Sequence, residues 1–292
     1  MIEQVPIPEP TGREVLVKVK AASLCHSDLS IIEGAFGPVP LPFIVGHEAV
    51  SVVEKLGPDA AAFGIKVGDV VGTPLWYGSC LQCVDCRTAG ADFCPTKKMQ
   101  GLSAAGYFAE YTLVDAATAV VVPDSAVDRS AALAPVFCAG ITVWDALERA
   151  DIKPGQTVAI VGAGGLGQTA IGYAHELGAK VIALDVRDEQ LQACKADRTA
   201  DEVINTTGLD SGTLTAKVMA ANSGRLVDTA IVCSGVVPAY NTALSIVGAE
   251  GSVVLVGLPH QPVPVPVAMV SMKAIKYVQS SGPRAWRDAI HY

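Results

Sequence analysis

The sequence predicts an α/β protein in two parts: a β-rich part over residues 1–127 and a doubly wound parallel sheet over residues 128–292. Three observations support this prediction. The chain has 292 residues, half of them hydrophobic, which suits two domains with sizeable cores. Short β-rich runs punctuated by Gly and Pro fill the first part. Strands alternate with helical patterns in the second.

The first part contains several short runs typical of strands. Residues 14–22 alternate valine with leucine and lysine, and residues 43–56 contain a run of β-branched side chains before a Gly-Pro turn. Further short strands are predicted after the turn at 66–69, at 108–114 and at 120–122. Short strands joined by such turns predict a partly open barrel or a sandwich.

The second part alternates strands with helices. Residues 128–148 predict helices around an Ala-rich segment, and residues 168–177 and 189–196 carry the clearest later helical patterns. The six candidate strands are 157–161, 180–185, 201–204, 227–233, 252–257 and 274–280. This alternation predicts a parallel sheet with helices on both faces.

The charge balance limits the kinds of partner. Lys and Arg number 21 against 29 Asp and Glu, a net charge of -8, and no basic run stands out. Nucleic acid and anionic membrane surfaces are therefore poor partners. Residues 1–6 lack the features of a secretory signal, and no apolar run is long enough for a bilayer. We expect a cytoplasmic protein, in which cysteines serve more often as ligands or catalytic groups than in disulfides.

A glycine-rich turn follows the predicted strand 157–161. Gly162, Gly164 and Gly167 form a G-x-G-x-x-G pattern that also contains Gly165 and Leu166. The three glycines allow, in turn, a tight turn, close approach of the backbone to a pyrophosphate, and close packing of helix on strand. A glycine-rich turn without a ligand is the alternative. The preceding strand and the following helix favour a dinucleotide site.

An acidic residue ends the next predicted strand. Asp185 can accept hydrogen bonds from both hydroxyls of an adenosine ribose, and its charge would repel a 2′-phosphate. Arg187 could hold that phosphate, but a solvated arginine is the commoner outcome. We therefore predict NAD rather than NADP.

Four cysteines lie within one short stretch. Cys80, Cys83, Cys86 and Cys94 have the spacing of a loop that can wrap around one tetrahedral zinc ion. Four thiolates would leave no open coordination position, so this zinc would be structural. The alternatives are an iron–sulfur cluster, free thiols or disulfides.

Three further candidate ligands are dispersed along the chain. They are Cys25 in CHSD, His47 in GHE and Cys138 in CAG. Spacing alone does not unite them, because each singly is most simply a core thiol or a hydrogen-bonded histidine.

These motifs together resemble the zinc-containing medium-chain dehydrogenase/reductase family, the zinc alcohol dehydrogenases. The matching stretches, in family order over nearly the whole chain, are CHSD at 25–28, GHE at 46–48, the four-cysteine loop at 80–94, CAGITVW at 138–144 and VGAGGLG at 161–167. The resemblance implies a GroES-like catalytic domain over 1–127, with a structural-zinc loop at 78–95. It also implies a Rossmann NAD-binding domain over 128–292.

The resemblance also implies roles for individual residues and two zinc ions per chain. Cys25, His47 and Cys138 would bind the catalytic zinc, leaving a fourth position for water or substrate. Asp28 is expected to accept a hydrogen bond from the non-ligating nitrogen of His47, and Glu48 to modulate the charge beside the metal. The alternative for both carboxylates is a surface or helix-capping role. Cys194 and Cys233 match no ligand position and are expected to be buried thiols.

The implied reaction is hydride transfer between a primary or secondary alcohol, or the corresponding aldehyde or ketone, and NAD, with zinc as the Lewis acid. Ser27 is expected to bond the substrate oxygen and begin a proton relay. Val256 is expected to contact the cofactor. A homodimer or homotetramer is expected, with the edge strand 274–280 pairing across a two-fold axis.

The sequence departs from the family pattern in the proton relay. Many members continue the relay to a histidine where this chain has Ser30, and a serine cannot take up a proton near neutral pH. The relay would then end in water or cofactor hydroxyls. An alternative hypothesis is a fold-retaining relative without net redox turnover, such as a cyclase, a lyase or a binding protein. A zinc-free enoyl or quinone reductase is a third hypothesis, which conflicts with the presence of all three ligands.

The chain also resembles a family member shortened at both termini. Relatives begin with an extra strand, and after the last Rossmann strand they return to the catalytic domain. We expect this return to be missing, with exposed apolar surface, a more open site or a compensating subunit contact as the consequence.

Overall fold

The computed structural model describes residues 2–39, 41–197, 199–259, 261–273 and 275–279. The chain folds into two compact units, the first reaching Cys138 and the second beginning at Ala139.

An antiparallel sheet forms the centre of the first unit. Its strands run in the order β6-β1-β2-β3-β7, and a separate two-stranded ladder pairs β4 with β5. The strands are β1 (Glu14–Ala22), β2 (Ala49–Leu56), β3 (Val70–Thr73), β4 (Trp76–Tyr77), β5 (Lys98–Met99), β6 (Tyr111–Asp115) and β7 (Val120–Val121). Fully buried valines on the central strands form the core, because alternate side chains of a strand point to the same face.

Short helices connect these strands: α1 (His26–Ile32), α2 (Val84–Thr88) and α3 (Ser130–Leu133). The helix α1 was not predicted from the sequence. The 3₁₀ turn Ala134–Phe137 carries a buried Phe137 ring against Gly72 of β3, where any Cβ would lie 1.6 Å from the ring. This contact anchors the segment that ends at Cys138.

A six-stranded parallel sheet forms the second unit, with strand order β10-β9-β8-β11-β12-β13. This is the 3-2-1-4-5-6 order of a doubly wound dinucleotide-binding sheet. The strands are β8 (Thr157–Val161), β9 (Lys180–Asp185), β10 (Glu202–Asn205), β11 (Val227–Val232), β12 (Val247–Leu255) and β13 (Lys276–Gln279). The predicted parallel sheet is therefore confirmed. Residues 274 and 280 of the last predicted strand lie outside the described residues.

Helices flank this sheet: α4 (Ala139–Arg149), α5 (Gly165–Glu176), α6 (Asp188–Ala196), α7 (Ser211–Ala221), α8 (Val237–Ile246) and α9 (Val267–Met272). Strands β8 and β9 are buried almost throughout, so their sequences are continuous apolar runs rather than alternating ones.

No single helix in the described part of the chain is long and apolar enough to cross a membrane. The neighbouring helical segments 124–137 and 139–149 reach that length and composition only together, as a bent pair.

Candidate functional site

The four cysteines of the loop lie together. Their sulfur atoms are all within 4.8 Å of one another, so one ion can contact all four. Backbone amides already point at three of the sulfurs: Cys83 N donates to Cys80 Sγ at 3.3 Å, Cys86 N to Cys83 Sγ at 3.4 Å and Cys80 N to Cys94 Sγ at 3.3 Å. The loop backbone is therefore arranged to stabilise negative charge on sulfur.

These hydrogen bonds change the acidity of individual thiols. The amides of Gln82 and Cys83 lower the pKa of Cys80, and the Thr96 hydroxyl, 3.2 Å from Cys94 Sγ, lowers the pKa of Cys94 to about 6. Burial and the neighbouring Cys83 raise the pKa of Cys86 to about 12. Neighbouring thiols with such different pKa values are partly deprotonated as a group. A bound metal cation would replace the remaining protons.

The dispersed candidates also converge. Donor atoms of Cys25, His47, Glu48 and Cys138 all lie within 4.8 Å of one another. Cys25 precedes α1, His47 precedes β2, and Cys138 follows the turn anchored by Phe137, so three separate segments of the first unit build this cluster. Two sulfurs, one imidazole and one carboxylate form a donor set that suits zinc.

A single buried carboxylate holds two of these segments together. Asp28 is fully buried; its Oδ2 accepts the Cys25 amide at 3.0 Å, and its Oδ1 accepts the Gly46 amide at 3.1 Å. The same Oδ1 lies 2.8 Å from His47 Nδ1, which leaves Nε2 as the nitrogen available to a metal.

The protonation of this cluster follows from its contacts. The hydrogen bond with Cys138 lowers the pKa of Cys25 to about 3, aided by His47 and opposed by burial. The same bond, together with burial, raises the pKa of Cys138. Burial favours neutral His47, but hydrogen bonds to Asp28 and Cys25 outweigh it and raise the histidine pKa to about 10. A metal binding here would displace the protons of Cys138 and His47.

Glu48 lies beside the other donor atoms of the dispersed cluster. Its Oε1 is 3.9 Å from His47 Nε2, and its other oxygen accepts a hydrogen bond from Ser23. Burial raises the Glu48 pKa to about 7, while the Ser23 hydroxyl opposes the shift. Ser23 was not predicted as a site residue, because nothing in the sequence pairs the end of β1 with the GHE segment.

Two glycines outside the predicted site support the His47 segment. A Cβ at Gly101 or Gly106 would lie 2.6 or 2.4 Å from the Gly46 carbonyl oxygen. In addition, Gly106 N donates to Ile44 O at 2.8 Å and Tyr107 N to Gly46 O at 3.0 Å. The segment around His47 is thus held by main-chain contacts that only glycine permits.

The first turn of α1 contains the predicted relay residue. Ser27 is half-buried, and its backbone is one of the groups that lower the pKa of Cys25. Ser30 is buried one turn later, and its hydroxyl donates to the His26 carbonyl at 3.2 Å. Since that hydroxyl bonds to its own helix, Ser30 does not replace a proton-accepting histidine.

The glycine loop of the second unit has the geometry predicted for it. Gly162 has a φ of 98°, in the region that favours glycine, and a Cβ at Gly167 would lie 1.8 Å from the Gly162 carbonyl oxygen. Gly164 is the N-cap of α5, and Gly165 and Leu166 form its first turn. A Cβ at Gly162 would lie 3.0 Å from Ser234 beyond β11, so the loop lies where the strand order reverses.

Asp185 ends β9 beside this loop. It accepts the Ala163 amide at 2.7 Å and the Arg187 amide at 2.9 Å. The Arg187 side chain is mostly exposed, with its Nε 3.7 Å from Asp185 Oδ1.

The remaining predicted residues also lie in the second unit. Val256 follows β12, is buried, and donates its amide to Val232 O at 3.1 Å. Cys194 is buried, as predicted. Cys233, just after the end of β11, keeps some exposed surface as a residue, but burial raises the pKa of its thiol to about 12, which agrees with the predicted buried thiol.

Comparisons with known proteins agree with both units. Residues 11–124 match the family profile described as alcohol dehydrogenase GroES-like domain, and residues 165–291 match zinc-binding dehydrogenase. An alcohol dehydrogenase of Geobacillus stearothermophilus is 35% identical over 280 residues, which is 96% of this chain and 80% of the relative.

Solved structures give the same result. The alcohol dehydrogenase of Aeropyrum pernix has a TM-score of 0.87 at 28% identity, over 100% of this chain and 85% of that one. A zinc-binding dehydrogenase from Sinorhizobium meliloti 1021, solved bound to NADP, has a TM-score of 0.88 at 26% identity, over 98% of this chain and 82% of that one. From the motifs, the two folded units and these relatives, the chain is a member of the zinc-containing medium-chain alcohol dehydrogenase family of oxidoreductases.

Proposed function

We propose that this protein is a zinc-dependent alcohol dehydrogenase or carbonyl reductase that uses NAD. The observation that carries the proposal is the convergence of Cys25, His47 and Cys138 on one point, with Asp28 on the other nitrogen of the histidine. These residues would hold the catalytic zinc, and Cys80, Cys83, Cys86 and Cys94 would hold a structural one.

The cluster has the chemistry that such a metal needs. Two sulfurs and a neutral imidazole would balance the charge of a divalent zinc ion, and the buried Asp28 would fix the tautomer of His47. When bound, zinc would supply a Lewis acid for the alcohol or carbonyl oxygen, and NAD would supply the hydride acceptor.

The residues of the chain would then orient and deprotonate the substrate. Ser27, in the first turn of α1, would hydrogen-bond the substrate oxygen and pass its proton onwards. Because the Ser30 hydroxyl bonds to the His26 carbonyl, the proton would leave through water or cofactor hydroxyls. Glu48, beside the ligand atoms, would adjust the charge of the centre.

The glycine loop and Asp185 would bind the cofactor. Gly162, Gly164, Gly165, Leu166 and Gly167 form the turn and first helical residues that suit a pyrophosphate. Asp185 would bond the adenosine ribose. Its carboxylate, 8% exposed and already held by two amides, favours NAD over NADP. Val256, which is buried after β12, would also contact the cofactor.

We also propose a division into two domains, a cytoplasmic location and an oligomeric state. The GroES-like catalytic domain would comprise residues 1–127 and the NAD-binding domain residues 128–292; the compact units divide between Cys138 and Ala139, close to that boundary. A reducing cytoplasm would keep the eight thiols available as ligands. The protein would form a homodimer or homotetramer, because β13 lies at the edge of the described sheet.

A metal analysis combined with a turnover assay tests this function. We expect about two zinc ions per chain and NAD(H)-dependent turnover with a panel of alcohols and aldehydes. Bound zinc and bound NADH without turnover on any substrate would favour the second candidate, a relative without net redox chemistry, for which the bonded Ser30 hydroxyl is the supporting observation. Absence of zinc would overturn both.

A further inference from the structure

Two consecutive residues at the start of β1 contact the entry to the four-cysteine loop. Arg13 donates to the Ser79 carbonyl, and Glu14 accepts a hydrogen bond from the Tyr77 hydroxyl. Between these contacts lies Gly78, two residues before Cys80, whose φ of 70° is in the left-handed region that favours glycine. The chain is thus held on both sides of the turn into the loop.

Asp115, at the end of β6, completes this contact. Arg13 Nε donates to its Oδ1 at 2.7 Å and Arg13 Nη2 to its Oδ2 at 2.8 Å, a bidentate pair with Asp115 only 3% exposed. The same carboxylate accepts the amides of Gly78 at 2.8 Å and Ala117 at 3.0 Å. This buried carboxylate is therefore held by one guanidinium group and by backbone amides on two sides.

A hydrogen bond also joins the beginning of the four-cysteine loop to its end. Ser79 is fully buried and its hydroxyl donates to the Ala91 carbonyl at 2.7 Å, just before Cys94. Ser79 therefore makes both contacts: its carbonyl accepts from Arg13, and its hydroxyl reaches the far end of the loop. Cys80 and Cys94, which follow these two residues, are connected by the 3.3 Å amide-to-sulfur bond.

We propose that Arg13 and Asp115 are positioning residues for the metal of the four-cysteine loop, which they hold in the closed arrangement and protect against metal loss. The proposal rests on the proposed function, since it requires that the loop binds zinc. Residues outside a metal's ligand shell that fix its ligands typically change metal affinity by roughly 10–100-fold when they are replaced. Arg13 and Asp115 act on the backbone that carries the ligands rather than on the sulfurs.

The chain offers a closely matched control. Arg149 and Asp145 in α4 form a second buried ion pair, also with an Nε–Oδ distance of 2.7 Å, and with exposures of 25% and 2% against 24% and 3% for Arg13 and Asp115. Each pair joins a buried carboxylate to a partly exposed arginine. The Arg13–Asp115 pair lies at the four-cysteine loop, whereas the Arg149–Asp145 pair lies within α4 of the second unit.

The test measures zinc release into a chromogenic chelator from the 292-residue chain carrying Cys138→Ser, which disables the dispersed cluster. We expect about one zinc per chain in this background. Adding Asp115→Asn or Arg13→Ala should speed release by roughly 10–100-fold, with Arg13→Lys in between because lysine cannot form the bidentate fork. Asp145→Asn should change the rate by less than about twofold even where it lowers the melting temperature as much.

The outcomes separate this proposal from the function on which it rests. One zinc per chain in the Cys138→Ser background, with Asp115→Asn and Arg13→Ala releasing it no faster than Asp145→Asn does, would overturn the positioning role alone. A Cys138→Ser protein without zinc would overturn the metal loop as well. If Asp115→Asn does not fold, the zinc-release rate of Arg13→Lys tests the positioning role instead, since this variant keeps the positive charge and most of the side-chain volume. Release no faster than in the parent protein would overturn the role.

Discussion

The two donor clusters of the first unit are built in opposite ways. The four-cysteine loop collects its sulfurs from one stretch of chain, held by local amide-to-sulfur hydrogen bonds. The dispersed cluster takes Cys25, His47, Glu48 and Cys138 from three segments, brought together by the sheet, by Asp28 and by the Phe137 ring against Gly72. The geometry of the contiguous cluster depends on the spacing of its cysteines in the sequence, whereas the geometry of the dispersed cluster depends on the fold of the whole unit.

This difference separates the roles expected for the two ions. Four thiolates close the coordination sphere, so an ion in the loop contributes to stability rather than to chemistry. The dispersed cluster has two sulfurs and one imidazole, with a carboxylate that protonates near neutrality because burial raises its pKa to about 7. Under the proposed function, Cys25, His47 and Cys138 would hold the zinc and leave the fourth position to substrate.

The largest effect is expected from removing a ligand of the dispersed cluster. His47→Ala should lower zinc content from about two ions per chain to about one and reduce turnover by roughly 10³-fold or more, because several kcal/mol of charge stabilisation are lost. Elemental analysis and a steady-state NADH assay measure both. The exposed His175→Ala is the control and should keep both ions. Full turnover in His47→Ala would exclude this cluster as the reaction centre.

Removing a ligand from the loop should change stability instead. Cys83→Ser is expected to lose the loop zinc and lower the melting temperature by roughly 5–10 °C, a loss of a few kcal/mol. Turnover per folded molecule, assayed well below that temperature, should stay near the parent value. Cys194→Ser, outside both clusters, should retain both ions. A selective loss of turnover in folded Cys83→Ser would contradict the division of roles.

The contacts of Asp28 lead to a smaller and more specific effect. Asp28→Asn should weaken zinc binding at the dispersed cluster by about 10–100-fold. Asparagine is uncharged and has a single acceptor oxygen, so it cannot accept from His47 and Gly46 and also from the Cys25 amide. Chelator competition measures this affinity, and the loop zinc serves as an internal reference. Equal weakening at both clusters would indicate general unfolding rather than loss of the histidine contact.

The smallest effect is expected from a change in the second unit that leaves both clusters intact. In Gly167→Ala the new methyl group would clash with the Gly162 carbonyl, which should weaken NADH binding about tenfold in a fluorescence titration. Gly172→Ala in the same helix has open space around its Cβ position and is the control. Zinc content should be unchanged in both variants. Unaltered NADH affinity in Gly167→Ala would show that the loop is not the cofactor site.

The sequence predicted the second unit better than the first. The predicted strands 157–161 and 180–185 coincide with β8 and β9, because fully buried parallel strands leave continuous apolar runs. Strand β12 begins at Val247, five residues before its predicted start at 252, since two glycines and Glu250, with a φ of 61°, interrupt the pattern.

In the first unit, one local sequence signal for a helix was overlooked, and the contacts between distant segments have no sequence signal. Cys25 followed three residues later by Asp28 has the spacing of a helix start, which would have predicted α1. The contacts of Ser23, Gly101 and Gly106 with the GHE segment have no sequence signal, because they join chain segments that only the folded sheet brings together. For the same reason, the dispersed cluster could be predicted only from the resemblance to the zinc alcohol dehydrogenases.

The contacts of Asp28 have a consequence for protein engineering. Because Cys25, Gly46 and His47 are fastened to this one carboxylate, the residues between α1 and the GHE segment are not what keeps the ligands in register. Much of that connection, including Glu33 to Phe36, is exposed. Loops of other lengths and sequences should therefore be tolerated at Glu33 to Phe36 while zinc binding at the dispersed cluster is retained.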